Sequence, residues 1–195
     1  MLILLEICFI FKEIILGEIK CFQLYKLIIG ILTTIYSEKE EILKALSEKF
    51  GEIDYISPFL DFNYTDYYNR EMGDNIKRFF VSFKNLVEPS ALADIKIETN
   101  KLEKQFSHGT LPLGAESRKV NLDPGIMNLS RLILASTKDN AHRIPLAKGI
   151  YGEITLLFQK KGVKALPWSF IDYQSKEYTE ILLEIRNIYR ANINN

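Results

Sequence analysis

The run KLIIGIL, residues 26–32, constrains the fold more than any other stretch of the chain. It is short, apolar and rich in isoleucine, and it reads as a buried strand. A buried strand needs a packed interior, and the composition supplies one. Of 195 residues, 47% are hydrophobic, 12% aromatic and 26% charged, the balance of a globular chain with room for one substantial core.

The signals after this strand are regular. Ser37 with Glu40 has the spacing of a capping box, and Ile42, Leu43, Leu46 and Phe50 continue at helical intervals until Gly51. Residues 53–62 alternate aromatic and polar side chains around Pro58, as in an edge or bent strand. FFVSF marks another strand over residues 77–83, and Pro89 opens a helix carrying Leu92, Ile95, Leu102 and Phe106. Residues 108–117 form the longest loop, 119–122 a short strand, and Asp-Pro-Gly at 123–125 a turn. Residues 128–136 then read as a helix, residues 148–166 as a hairpin turning near Gly162, and residues 175–191 as an amphipathic helix. The expected fold is a single α+β domain over residues 25–195, with a ferredoxin-like βαββαβ core and an added C-terminal hairpin and helix.

Residues 1–24 form a separate apolar segment. On a helix, Glu6, Glu13, Gly17 and Lys20 share one narrow stripe and leave a broad apolar face, suited to docking on its own domain, to a homo-oligomer contact or to a membrane surface; the plainer alternative is a non-native extension. Without a basic start, a small-residue cleavage site or about 20 uninterrupted apolar residues, it reads as neither a signal peptide nor a membrane span. The two cysteines, Cys8 and Cys21, leave the main body without a disulfide framework or thiolate zinc site, so a cytoplasmic location is expected. Basic and acidic residues balance at 25 each, which argues against general nucleic-acid binding.

Three polar clusters carry the candidate chemistry. The first, TDYYNREMG, gathers Asp66, Tyr67, Tyr68 and Glu71; its structural alternative is a helix capped by Thr65 or Asp66. The second is VNLDPG, where Asn121 and Asp123 point to one face of an extended segment. The third holds Lys138, Asp139, His142 and Arg143, then Lys148 ahead of a strand with Tyr151 and Glu153. Asp66, Asp123 and His142 are the candidates for moving protons, while Arg143 and Lys148 are placed to hold a ligand's negative charge. Tyr67, Tyr68, Glu71, Asn121, Tyr151 and Glu153 complete the candidate binding set. An oxygen-rich divalent-cation site from Asp66, Asp123 and Glu153 is one arrangement; no local metal motif or nucleophile motif supports a cofactor or covalent chemistry. Trp168, Phe170, Asp172 and Tyr173 read either as a wall for a planar ligand or as packing for the last helix.

Four stretches carry a family resemblance: DFNYTDYYNREMG (61–73), VNLDPG (120–125), STKDNAHRIPLAKGIYGEITL (136–156) and LPWSFIDYQSKEY (166–178). Through them the chain resembles a bacterial and archaeal family catalogued as domain of unknown function 4416. Departures are Asn63-Tyr64, where a phenylalanine directly before the threonine is expected, and Pro145, where an aromatic is more usual. The resemblance implies no activity. Some relatives are labelled GTP-binding, but this chain has no GxxxxGK[ST] loop to cradle phosphates. The residues favour a domain that binds a small anionic ligand, or a non-covalent enzyme acting on one. The alternatives are an RNA- or protein-binding module using an open sheet face with FFVSF, and a structural partner assembling through residues 1–24.

Overall fold

The computed structural model describes residues 21–110, 116–160 and 162–194. The expected apolar N-terminal helix, with Cys8, lies outside the described residues up to position 20.

Every residue of the first strand, β1 (Tyr25–Thr33), is buried, as KLIIGIL requires. Its alternation divides the core. Leu27, Ile29 and Ile31 face one hydrophobic cluster, and Ile28 faces the other. Helix α1 (Lys39–Phe50) covers the first face with Ile42, Leu43 and Leu46, and ends at Gly51, whose φ of 97° suits glycine. The Ser37–Glu40 capping box does not form. Ser37 lies in a 3-10 turn, Tyr36–Glu38, and no side chain caps α1.

The chain continues through β2 (Ile53–Ile56), β3 (Leu60–Asp61), a one-turn helix (Asn69–Met72) and β4 (Lys77–Val87). After a 3-10 turn at Pro89–Ala91, helix α2 (Leu92–Gln105) packs Ile95 and Leu102 beside α1. Neither Thr65 nor Asp66 caps the one-turn helix, whose N-cap is Tyr68; the Thr65 hydroxyl instead accepts the Tyr67 N–H, making a local turn.

The next segment departs most from expectation. Part of the supposed long loop is a ribbon, β5 (Ser107–Thr110) with β6 (Glu116–Arg118). Strand β7 (Val120–Met127) then runs straight through Asp-Pro-Gly. Residues 128–136 are not a helix. Asn128 Oδ1 accepts the N–H groups of Ser130 and Arg131, turning the chain into β8 (Arg131–Ser136), and RLILAS pairs as a strand. An apolar run this short suits either period, and the side-chain turn at Asn128 decides it.

Strands β9 (Ile144–Ala147), β10 (Ile150–Gln159) and β11 (Gly162–Ala165) precede helix α3 (Lys176–Asn194), in keeping with the expected hairpin and final helix. The nine-stranded sheet runs β11-β10-β8-β7-β1-β4-β2, antiparallel throughout, with β3 beside β4 and β9 beside β10. Strand β4 lies between β1 and β2, the two strands joined by α1; β1 lies between β4 and β7, the two joined by α2. Helix α3 covers the second face with Tyr178, Ile181, Leu182 and Ile185 against Ile28, Phe80 and Leu156. FFVSF is therefore fully buried and does not supply the open aromatic sheet face expected for an RNA-binding module.

Candidate functional site

A proline opens the site. The β7–β8 ladder covers Gly125–Met127 only, so residues 120–124 pair with β1 on one side and leave β7's other edge free. Pro124 stands where the ladder stops, because it has no N–H to extend the pairing. Beyond it the two strands part like a fork. The free edge is satisfied by α2: Lys96 Nζ donates to the Leu122 carbonyl at 2.8 Å, and Glu103 Oε1 accepts the Leu122 N–H at 2.7 Å. Lys96 and Glu103 are two helical turns apart and face the same way.

The fork widens into a cleft of about 770 Å³. Arg78 of β4 forms its floor, with Asn121 and Asp123 of β7 beside it and Lys96 and Asn100 of α2 below the fork. Phe62, Tyr64, Tyr67, Tyr68 and Glu71 form one wall; Ser136, Lys138, Arg143 and Glu153 form a second; Trp168, Phe170 and Asp172 form a third.

Arg78 is almost fully buried yet charged. Its Nη1 donates to Asp123 Oδ2 at 2.8 Å and its Nη2 to Asp172 Oδ2 at 3.3 Å. Phe62 and Phe80 flank the guanidinium at 5.5 and 5.8 Å. Burial opposes this charge, but Tyr178, Asp123, Tyr173 and Asp172 hold the guanidinium well above its ordinary pKa. The two carboxyls are pushed apart. Burial works to raise Asp123, but Arg78 and then Lys96 outweigh it and hold Asp123 below the usual range; at Asp172 burial wins over Arg78 and the pKa rises.

The second wall is organised by Glu153, a buried carboxylate whose Oε2 accepts from Arg143 Nε at 2.7 Å and His142 Nε2 at 3.0 Å. Arg143 Nη1 also donates to Ser136 Oγ and the Lys138 carbonyl, both at 2.8 Å, fixing the loop that carries Lys138. The His142 ring stacks on Trp168 at 5.4 Å between centroids, and the indole N–H donates to the Ile154 carbonyl at 2.9 Å. At the mouth, Lys138 Nζ donates to the Tyr67 hydroxyl at 2.6 Å. On the opposite side Arg118 pairs with Glu71 at 2.8 Å and Glu103 at 3.0 Å, tying the one-turn helix to α2.

Of the residues singled out from sequence, Tyr67, Tyr68, Glu71, Asn121, Asp123, Arg143 and Glu153 line this one cleft, although the chain carries them in three distant segments. His142 stands behind Trp168, joined to the wall through Glu153 and the ring stack. Asp66, Tyr151 and Lys148 are not lining residues. The ammonium expected to hold ligand charge at Lys148 pairs with the exposed Asp94, and Tyr151 lies between β8 and β9. Among the described residues no three of His, Cys, Asp and Glu gather to hold a metal ion, so Asp66, Asp123 and Glu153 are not brought together in the oxygen-rich arrangement considered for them.

Sequence reasoning missed Arg78, Lys96, Arg118 and Asp172 as a connected set. Asp172 stood within the aromatic run after the hairpin, and Arg78 carried a signal of its own: KRFFVSF places a charge on the same face as Phe80 and Ser82 in the buried stretch of its strand. The aromatic run after the hairpin has both roles considered for it. Trp168 and Phe170 line the cleft, while Tyr173 packs on Phe80 and Tyr178.

Among the described residues no helix is long and apolar enough to cross a membrane. No curated protein and no solved structure matches the chain. Residues 23–189 match the family model described as Domain of unknown function (DUF4416), and the chain belongs to that family.

Proposed function

We propose that the forked cleft binds a small organic anion, with the protein acting as a binding domain or a non-covalent enzyme for it. The observation that supports this is the make-up of the mouth. Six aromatic residues are exposed among the described residues, and four of them, Tyr64, Tyr67, Trp168 and Phe170, line this cleft; the others are Phe22 and Tyr36. Aromatic surface concentrated around one cavity of this size, within the roughly 300–1,000 Å³ common for ligand sites, is what a bound organic molecule would cover. Lys138 stands among these rings with a phenolic hydroxyl, not a carboxylate, as its partner. On the floor, Asp123 and Asp172 flank one arginine with their acidities pushed in opposite directions, a division suited to giving and taking a proton.

Trp168 is the only tryptophan in the chain, so its emission reports on this wall alone. Benzoate, citrate, AMP and inorganic phosphate titrated into the full chain test the reading. A saturable change in emission with at least one anion, weakened by Tyr67→Ala or Phe170→Ala, is the expected result. Absence of any saturable response across the four would end it.

A further inference from the structure

We infer that the ligand is a planar monoanion, an aromatic or heteroaromatic carboxylate held by Lys138, and not a phosphate ester. This deepens the small-anion reading and rests on it.

The argument is electrostatic. Four cations at the floor and walls are already matched. Arg78 pairs with Asp123 and Asp172, Arg143 with Glu153, Arg118 with Glu71 and Glu103, and Lys96 approaches Glu103 at 3.8 Å. Four cations thus face five carboxyl groups, and even with Asp172 protonated this interior offers no excess positive charge to a second anionic oxygen. A phosphate ester, carrying close to two charges at neutral pH, would enter a region with no unmatched positive charge for its second one. Lys138 is the exception. It lines the cleft, is exposed, and among the described residues has no carboxylate within ion-pair distance. One unmatched ammonium at the mouth suits one negative charge, and a carboxylate bound there gains a charge-assisted hydrogen bond without displacing a native ion pair.

The rings around it argue for planarity. Lys138 Nζ stands 4.4 Å from the Tyr67 ring centroid, so its charge sits directly against an aromatic surface. Across the mouth, Trp168 is held on one face by His142 and at its N–H by the Ile154 carbonyl, leaving an indole fixed in place before any ligand arrives. A rigid aromatic wall beside a single ammonium is matched by a flat ring bearing one carboxylate.

Three probes of similar ring chemistry separate the outcomes: 2-naphthoate, its neutral amide 2-naphthamide, and AMP, each measured by calorimetry on the full chain at low and moderate salt. 2-Naphthoate is expected to bind more tightly than either of the others. Lys138→Met should weaken it by roughly ten- to hundredfold, the loss of one hydrogen bond to a charged group, while Lys148→Met, a surface lysine away from the cleft, leaves it unchanged. Equal binding of the acid and the amide would remove the role of charge and overturn the inference. Tighter binding of AMP with the same dependence on Lys138 would overturn the monoanion assignment and leave the small-anion reading standing. Silence from 2-naphthoate while citrate or phosphate perturbs Trp168 would have the same meaning, and silence from every anion would remove both.

Discussion

The guanidinium of Arg78 reaches Asp123 from two strands away, Nη1 to Oδ2 at 2.8 Å, by crossing directly over Gly30 of the strand between them. Gly30 has ordinary strand geometry, so its missing side chain serves the crossing and not the backbone. A Cβ there would stand 2.9 Å from Arg78 Nη1, 3.1 Å from the Phe80 ring and 3.4 Å from the Tyr173 hydroxyl.

Gly30→Ala is therefore expected to disturb the floor of the cleft. The arginine must shift or the strands must part, at a cost of about 1–3 kcal/mol typical of overpacking. Urea denaturation measures it. A variant as stable as the parent, with Trp168 emission unaltered, would show that the guanidinium has room that the geometry denies it.

The same trio sets an acid-side pH dependence with two opposing parts. Asp123 has a folded-state pKa below its unfolded value, so its contribution to stability is present above the ordinary carboxylate value of about 4 and is lost as pH falls through the lower folded pKa. Asp172 has a raised folded pKa; its effect has the other sign, and stability is lost as pH rises from about 4 through that folded value. Asp123→Asn should cost about 3 kcal/mol at neutral pH, since it weakens the closest partner of a buried charge. Asp172→Asn should instead abolish the loss of stability above pH of about 4. Denaturation curves from pH 3 to 8 on both variants distinguish them, and identical profiles would mean that the two carboxyls share the arginine equally.

How much of this was legible in the sequence depended on whether local residues decided the local structure. KLIIGIL announced the central strand because six residues in a row without a polar side chain, four of the last five β-branched or glycine, have few other uses, and Gly51 and Pro89 marked helix ends by chemistry that acts locally. Asp-Pro-Gly misled because its turn preference is local, whereas its strand conformation is imposed by pairing with β1 nearly a hundred residues earlier. The site followed the same division. Tyr67, Asn121, Asp123 and Arg143 stood out as polar residues clustered in short stretches. Lys96 did not, because a lysine between two isoleucines on a helix looks like a solvated position; only the unpaired edge of Leu122 gives it a buried partner.

That edge makes a third prediction. Glu103→Gln keeps an acceptor for the Leu122 N–H, whereas Glu103→Ala leaves a buried amide unsatisfied and Arg118 with one partner fewer. The glutamine variant should lose about 1 kcal/mol and the alanine variant about 3 kcal/mol. Hydrogen exchange at Leu122 provides the local readout. Equal protection of that amide in both variants would show that α2 does not close the fork.

The last prediction separates a strand from a turn at Asp-Pro-Gly. If residues 123–125 turned, Pro124 would fix the first corner and Gly125 would supply a positive φ, and alanine at either position would be costly for backbone reasons. In β7 the two positions have unequal burdens. The N–H and carbonyl of Leu122 point to the free edge, and the two-residue period of a strand places the nitrogen of Pro124 on that edge also, where no ladder bond is lost. Pro124→Ala should thus cost only about 1 kcal/mol, chiefly through a more flexible unfolded chain. Gly125 is different: a Cβ would stand 2.6 Å from Leu134 Cδ2 and 2.8 Å from the carbonyl oxygen of Ile133, and backbone cannot move aside as a side chain does. Gly125→Ala should then push β8 away from β7 at the point where the ladder starts, destabilising the protein by about 3 kcal/mol or more and widening the fork. Denaturation midpoints with exchange rates at Ile126 and Ile133 measure both effects. A Pro124→Ala loss equal to that of Gly125→Ala, with the β7–β8 amides still protected, would return Asp-Pro-Gly to a turn.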